Sequence, residues 1–220
     1  MHKKCVEVTY DDLGRVYVFD DGDRYHSVTT MLGATSDKDG IRRWRAEVGE
    51  DEANRISKIA SHMGEQFHLL GEYYLKGKNC VPIVNPISSH IFNTTTKPIL
   101  EEHVTEVMSV EEVLYSLDLR LAGRTDSVLK WDGKLSIFDF KLLNNSDRKW
   151  LTDYWIQTTV YAHCWKEMYG VMPEQLVLVI GNKNTFESVY YTARIKPYVA
   201  DMNRRVFQFN SLLEQRNGRA

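Results

Sequence analysis

Paired cysteines, long apolar runs and an excess of basic residues are all missing from this sequence. The three cysteines, Cys5, Cys80 and Cys164, lie far apart, which excludes a disulfide framework and a cysteine metal cage and predicts reduced thiols in a cytoplasmic compartment. No apolar stretch approaches the roughly 18 residues that span a bilayer. The first residues hold no apolar signal segment, so we expect a protein that is neither secreted nor associated with a membrane.

The charge balance argues against one class of nucleic-acid-binding protein. The formal net charge is −2, whereas proteins that coat nucleic acid are usually basic, because neutralising phosphates drives that binding. A nuclease is not excluded, since carboxylates in its site can hold cations. The hydrophobic share of 43% and the charged share of 26% are those of a globular protein with a sizeable core.

The pattern of apolar residues predicts an α/β fold with a central mixed sheet flanked by helices, after an N-terminal hairpin and helical extension. We expect one domain over 1–220, with the extension in 1–50 and the core in 51–220. A short helix is predicted between an N-cap at Ser27 and a stop at Gly33, an irregular connection over 77–96, and a tight turn at 131–133. The other predicted helices are 39–49, 51–76, 97–105, 150–169 and 197–214, and the predicted strands are 6–10, 15–20, 107–116, 119–130, 134–142, 175–181 and 187–193.

Two acidic residues and a lysine carry the main chemical signal. Asp139 and Lys141 lie two apart on a predicted strand, so their side chains share one face of the sheet, and Asp126 lies across a short hairpin from them. Two carboxylates meeting there suit Mg²⁺ or Mn²⁺, which can activate water against a phosphodiester. A D-x-K triplet alone is more often an ordinary strand face or ion pair. Here its apolar neighbours make a charged pair costly, which favours a functional site.

Two helices add polar residues at helical spacing. Gly64, His68 and Glu72 fall at i, i+4 and i+8, so His68 is a candidate metal ligand, and the missing side chain of Gly64 would let another element approach closely. A lone histidine beside an apolar stripe is, however, more often structural. The stripe on this helix repeats at steps of three and four residues and consists of Ile56, Ala60, Met63, Phe67, Leu70 and Tyr74. Gln157 and Tyr161 share a face at i and i+4 and, taken alone, suit a helix surface or core edge as well as a nucleic-acid contact.

Taken in order, these segments resemble the RecB-like exonuclease branch of the PD-(D/E)xK nucleases, in particular the phage-encoded and mitochondrial genome maintenance exonucleases. The resemblance extends from about Arg24 to about Ala193. It implies a restriction-endonuclease-like core. The matching segments are YHSVTTML (25–32), the GxxxHxxxE pattern (64–72), VEEVLYS (110–116), GRTD (123–126), FDFK (138–141) and QTTVY (157–161).

The resemblance also implies roles for individual residues. Asp126 and Asp139 would be the main metal ligands and Lys141 would position the attacking water. Glu111 would be a further acid of the site, although Glu112 is the alternative, because strand alternation lets only one of the two face the ion. Further implied ligands are His68 and the main-chain carbonyl of Phe140, and the implied contacts to DNA are Ser27, Thr30, Arg124, Gln157 and Tyr161.

The expected activity is therefore a Mg²⁺- or Mn²⁺-dependent DNA exonuclease that acts on single strands or DNA ends in recombination, repair or replication. It would work in the cytoplasm, that of a host if the protein is phage-encoded, and possible assembly states include the monomer. An iron–sulfur cluster is not expected, because the cysteines are too few and wrongly spaced. The alternatives are a structure-specific endonuclease and an inactive nucleic-acid-binding module. A helical arch over the site would favour threading of a free end, and the segment with Arg42, Arg43 and Arg45 is where such an arch is expected. Leu142 departs from the Thr or Ser usual after the lysine.

Overall fold

The computed structural model describes residues 2–78, 84–148 and 151–217, and within them the fold is α/β, with an eight-stranded mixed sheet flanked by helices. The strands are β1 (Cys5–Tyr10), β2 (Arg15–Phe19), β3 (Arg24–Ser27), β4 (Val104–Ser116), β5 (Leu121–Trp131), β6 (Lys134–Leu143), β7 (Gln175–Asn182) and β8 (Ser188–Ala193). The α-helices are α1 (Val28–Thr35), α2 (Asp39–Val48), α3 (Glu50–Leu75), α4 (Pro86–Ile91), α5 (Lys97–His103), α6 (Thr152–Tyr169) and α7 (Val199–Asn217).

The sheet runs in the order β1-β2-β3-β5-β6-β7-β8, with β4 paired to β5. The pairs β3–β5 and β6–β7 are parallel and the others are antiparallel, which makes the sheet mixed. A parallel neighbour requires a crossover connection, and α6 supplies it between β6 and β7.

The sheet forks along one edge of β5. One edge of β5 pairs with β4 along its length. The opposite edge pairs with β3 only at Leu121 and Ala122, and with β6 only over 127–131. Within the described chain, 123–126 has no ladder partner on this edge, and 139–143 of β6 pairs only with β7. The backbone therefore opens between the GRTD and DFK segments.

The two sheet faces carry separate cores. Helices α1, α6 and α7 cover one face, around Ile137, and helices α3, α4 and α5 cover the other, around Phe138 and Phe140. Successive strand residues point to opposite faces, so Asp139 and Lys141 belong to the α6 side. The residue that alternates between them, Phe140, anchors β6 to α3.

Most of the predicted elements are confirmed, and three predictions are wrong. Helix α1 does not stop at Gly33 but continues to Thr35, where the Thr35 hydroxyl donates to the Met31 carbonyl. Residues 86–96, predicted to be irregular, form α4 and a π-helical turn (Phe92–Thr96) that continues into α5. Strand β3 was not predicted, and 79–83 of the connection, with Cys80, lie outside the described residues.

Two turns follow the sequence chemistry that predicted them. Asp132 and Gly133 both have positive φ, as a two-residue hairpin turn requires, and Trp131 pairs with Lys134 across it. Gly49, with φ of 85°, ends α2 as expected. Cys5 and Cys164 are free thiols. No helix of the described ranges is long and apolar enough to cross a membrane.

Candidate active site

An open cleft of about 740 Å³ lies over the fork in the sheet. The β1–β2 hairpin and the start of α1 form one wall, α3 forms another, and β4, β5, β6 and α6 contribute side chains to the floor. Seven of the eleven residues implied by the resemblance line this cleft. They are His68, Glu111, Arg124, Asp126, Asp139, Lys141 and Gln157.

Asp126 occupies the floor, where β5 leaves β6. Its Oδ2 accepts a hydrogen bond from the Phe140 backbone N–H at 2.7 Å and lies 3.0 Å from Nδ1 of His68 on α3. Burial raises the pKa of Asp126, but the facing imidazole and the nearby Lys141 ammonium outweigh it, so the pKa lies below its usual range. Burial alone would lower the pKa of His68. The charge and the hydrogen bond of Asp126 outweigh this effect, so the pKa of His68 is raised above its usual value. The two groups stabilise each other as an ion pair.

Asp139 and Lys141 lie beside this pair on β6. Asp139 is 2% exposed, and its Oδ2 faces the Lys141 ammonium. The ammonium of Lys141 does not have the geometry of a hydrogen bond to this oxygen, and no other described group donates a hydrogen bond to Asp139 Oδ2. Burial raises the pKa of Asp139 to about 6 against the lowering effect of Lys141, and Asp126 adds repulsion. A buried carboxylate whose pKa stays raised even beside a lysine favours a further cation.

Glu111 and Glu112 have separate surroundings. Val110 pairs with Ser127 and Glu112 with Thr125, so Glu111 lies opposite Asp126, and its side chain lines the cleft. Burial, then the charges of Asp126 and Glu72, raise the pKa of Glu111. Glu112 instead accepts a hydrogen bond from the Tyr169 hydroxyl. Of the two glutamates, the structure therefore places Glu111 beside Asp126.

A positive φ fixes the position of Glu111. Its φ is 59°, which is uncommon for a residue other than glycine. Its carboxylate lies 3.7 Å from Nη1 of Arg124, which stands on the neighbouring strand. Backbone strain at such a position is typical of functional sites.

The close approach predicted at Gly64 occurs at Gly71 instead. A Cβ built on Gly64 meets no atom within 4 Å, whereas one on Gly71 would lie 2.2 Å from Phe140 Cε2. Phe140 is 1% exposed and is surrounded by other aromatic rings. The missing side chain at Gly71 thus lets α3 lie directly on β6, which brings His68 to Asp126.

A second glycine contact lies beneath the site on the α6 side. A Cβ on Gly123 would meet the ring and hydroxyl of Tyr161 at 2.8 Å. Tyr161 is 2% exposed and is not among the residues that line the cleft. Its hydroxyl accepts a long hydrogen bond, 3.5 Å, from Nε2 of Gln157, which does reach the cleft. Gln157 therefore lies at the cleft surface, and Tyr161 is buried beneath it.

Ser27 and Thr30 are buried rather than presented to the cleft. Ser27 caps α1 by accepting from the Thr30 N–H at 2.9 Å, and its hydroxyl also lies 2.8 Å from that of Thr30. Their exposures are 2% and 9%. Thr29, between them, lines the cleft. Ser27 therefore caps α1 with Thr30 bonded to it, and a contact of either residue with DNA stays a prediction.

The arginines of α2 are also placed outside the cleft lining. Arg45 forms an ion pair with Glu50 at 2.5 Å, and Arg42 lies 3.5 Å from Asp39. Helix α2 has no buried residue and packs mainly against α3. Nothing in these contacts builds an arch over the floor.

The lining residues that sequence reasoning missed include Tyr154, Arg15 and Tyr10. The Lys141 Nζ lies 5.0 Å from the centroid of the Tyr154 ring, a distance at which the ring attracts the ammonium. Tyr154, Gln157 and Tyr161 fall at i, i+3 and i+7 on α6, a spacing that could have identified Tyr154. The hairpin residues had no such signal, because their position depends on tertiary folding.

Comparison with known proteins adds little. No family model matches the chain, and no curated protein matches it. Twelve solved chains match, among them one described as "Crystal structure of SSO0001", which is 19% identical. That match covers 77% of this chain and 69% of the other with a TM-score of 0.41.

Proposed function

We propose that this chain is a metal-dependent deoxyribonuclease of the PD-(D/E)xK type that hydrolyses phosphodiester bonds of single-stranded DNA or of DNA ends. One observation carries the proposal. Three separate segments of the chain bring Asp126, Asp139, Lys141 and His68 together on the floor of one open cleft. A buried cluster of charged groups is costly for a fold, and such clusters occur mainly at functional sites.

The donor set fits a divalent cation. Within the described ranges no group of three His, Cys, Asp or Glu side chains is arranged so that it could hold a metal ion, so the proposal of a cation rests on the chemistry of Asp126, Asp139 and His68. No described group donates a hydrogen bond to Asp139 Oδ2, and the pKa of the Asp139 carboxyl group is raised. His68 and Asp126, which lie 3.0 Å apart, would supply a nitrogen and an oxygen ligand. Carboxylate oxygens suit Mg²⁺ or Mn²⁺, which when bound would polarise the phosphodiester and lower the pKa of a bound water. The Phe140 carbonyl remains a predicted further ligand.

The remaining groups have roles that follow from their positions. Lys141, which contacts both Asp139 and the Tyr154 ring, would orient the attacking water and offset phosphate charge. Glu111, which lies opposite Asp126 and lines the cleft, would support the site from β4. Arg124, with a side chain 52% exposed, and Gln157 would contact the DNA strand. Tyr161, Ser27 and Thr30 would act indirectly, by supporting Gln157 and the start of α1.

The first test is a cleavage assay with single-stranded and duplex DNA labelled at the 5′ or the 3′ end. We expect degradation with Mg²⁺ or Mn²⁺ and none with EDTA. Mononucleotide release from one end supports an exonuclease with a defined polarity, and internal cuts support the endonuclease on the same fold. Intact substrate with both metals across a range of pH would overturn the proposal.

The adjacent glutamates provide a matched pair of variants. Glu111→Gln removes a charge beside Asp126 and should lower the cleavage rate by about 10- to 100-fold, the range for loss of a group that supports a metal site. Glu112→Gln makes the same chemical change on the neighbouring residue, beside Tyr169, and should leave the rate unchanged. Equal effects of the two substitutions would contradict the assignment of Glu111.

A further inference from the structure

The hairpin wall of the cleft presents an aromatic residue and a cation side by side. Tyr10 ends β1, lines the cleft and is 70% exposed. Arg15, its partner across the β1–β2 pair, donates from Nε to the Tyr10 hydroxyl at 3.3 Å, and its guanidinium carbon lies 5.9 Å from the ring centroid. The ring is thus held in place while most of its surface stays open to solvent.

An exposed tyrosine is ordinary by itself, but this one has two further properties. It lines the same cleft as Asp126 and Asp139, and Arg15 and Arg124 add cationic groups to that lining. Aromatic rings beside cations are the pattern by which proteins bind unpaired bases and the phosphates between them.

We propose that the hairpin wall is a binding subsite for single-stranded nucleic acid, in which Tyr10 stacks on a base while Arg15 and Arg124 contact the flanking phosphates. This inference rests on the proposed nuclease function and deepens it by naming the residues that would hold a single strand in the cleft. Asp139 is 2% exposed, so a phosphodiester must enter the cleft to reach it. A single strand bends into such a cleft and offers free base faces, whereas the bases of a duplex are stacked on one another.

The charge of the protein sets the expected salt dependence. The net charge is −2, so broad electrostatic attraction to nucleic acid is weak. Two arginine–phosphate contacts predict a slope of log K against log salt of about −1.4 for a single strand, from roughly −0.7 per phosphate. Much of the affinity should then come from stacking, which salt weakens little.

The test is binding of fluorescent oligo(dT), and of the matching blunt duplex, in EDTA, where cleavage does not interfere. Tyr10→Ala should weaken oligo(dT) binding by roughly 5- to 100-fold, the range for loss of one stacked base, and Tyr10→Trp should retain it. Duplex binding should be weaker in the wild type and unaffected by either change. Phe207→Ala on α7 is the control, because Phe207 is 73% exposed and lies outside the cleft lining.

The outcomes separate this inference from the proposed function. Wild-type cleavage of DNA together with unchanged oligo(dT) affinity in Tyr10→Ala overturns the subsite and leaves the nuclease assignment standing. Loss of self-association in Tyr10→Ala, measured by light scattering, with no change in oligo(dT) affinity would show that the hairpin binds a second copy and also overturns the subsite. A wild-type protein that neither binds nor cleaves DNA overturns both.

Discussion

Substituting Gly71 by alanine tests how the site is assembled. Gly71 is buried on α3, and an added Cβ would lie 2.2, 2.6 and 2.7 Å from three ring atoms of Phe140. The ring cannot turn aside freely, because Phe67, Phe92 and Phe138 surround it with centroids 6.0, 6.3 and 4.6 Å away. The helix must therefore move away from β6.

The magnitude follows from two opposing effects. Overpacking a filled core costs about 1–3 kcal/mol, and replacing glycine by alanine within a helix returns about 0.8–1 kcal/mol. Gly64→Ala on the same helix gains the helix propensity of alanine without overpacking, because a Cβ at Gly64 meets no atom within 4 Å. The helix propensity cancels between the two variants, so Gly71→Ala should be less stable than Gly64→Ala by about 1–3 kcal/mol.

Urea unfolding followed by circular dichroism measures both variants. His68 lies three residues before Gly71, so a shift of α3 also separates its imidazole from Asp126, now 3.0 Å away. We therefore expect a lower cleavage rate in folded Gly71→Ala. Equal unfolding free energies for the two alanine variants would refute the account of α3 and β6 packing.

Three further predictions concern the supports of the site. Ser27→Ala should lower the free energy of unfolding by about 0.5–2 kcal/mol, because α1 loses its cap. Urea unfolding measures this loss, and the folded variant should keep its DNA affinity. Reduced DNA affinity with unchanged stability would instead show that Ser27 contacts DNA. Gly123→Ala should lose about 1–3 kcal/mol by the same measurement, because its Cβ would lie 2.8 Å from the buried Tyr161 ring; full stability would contradict that packing. Mn²⁺ at about 100 times its Kd should stabilise the protein by about 2.7 kcal/mol, seen as a higher Tm than in EDTA, and an unchanged Tm would count against a metal site.

Periodic features of the sequence predicted much of the fold. The spacing of two between Asp139 and Lys141 placed both on one face, and the turn chemistry of Asp132 and Gly133 joined β5 to β6 in the right register. Helix α3 followed from its apolar repeat. These features depend only on local backbone geometry, which a sequence pattern reports directly.

The features that could not be predicted depend on which segments meet. Strand β3 has four residues and pairs with β5 at only two positions, too little for a pattern to show. The choice of Gly71 over Gly64 depends on where Phe140 lies, and the burial of Ser27 depends on the packing of α1. The fork along β5 follows from these tertiary contacts, and the fork creates the cleft.

The most direct test of the central claim is the cleavage rate of Asp139→Ala beside that of the wild type, on a labelled single strand with Mn²⁺. Asp139 is the buried carboxylate whose Oδ2 has no hydrogen-bond donor within the described residues. We predict that wild-type protein degrades the strand and that the variant, folded and still able to bind it, does not. Cleavage by the variant at the wild-type rate would contradict the assignment of this cleft as the active site.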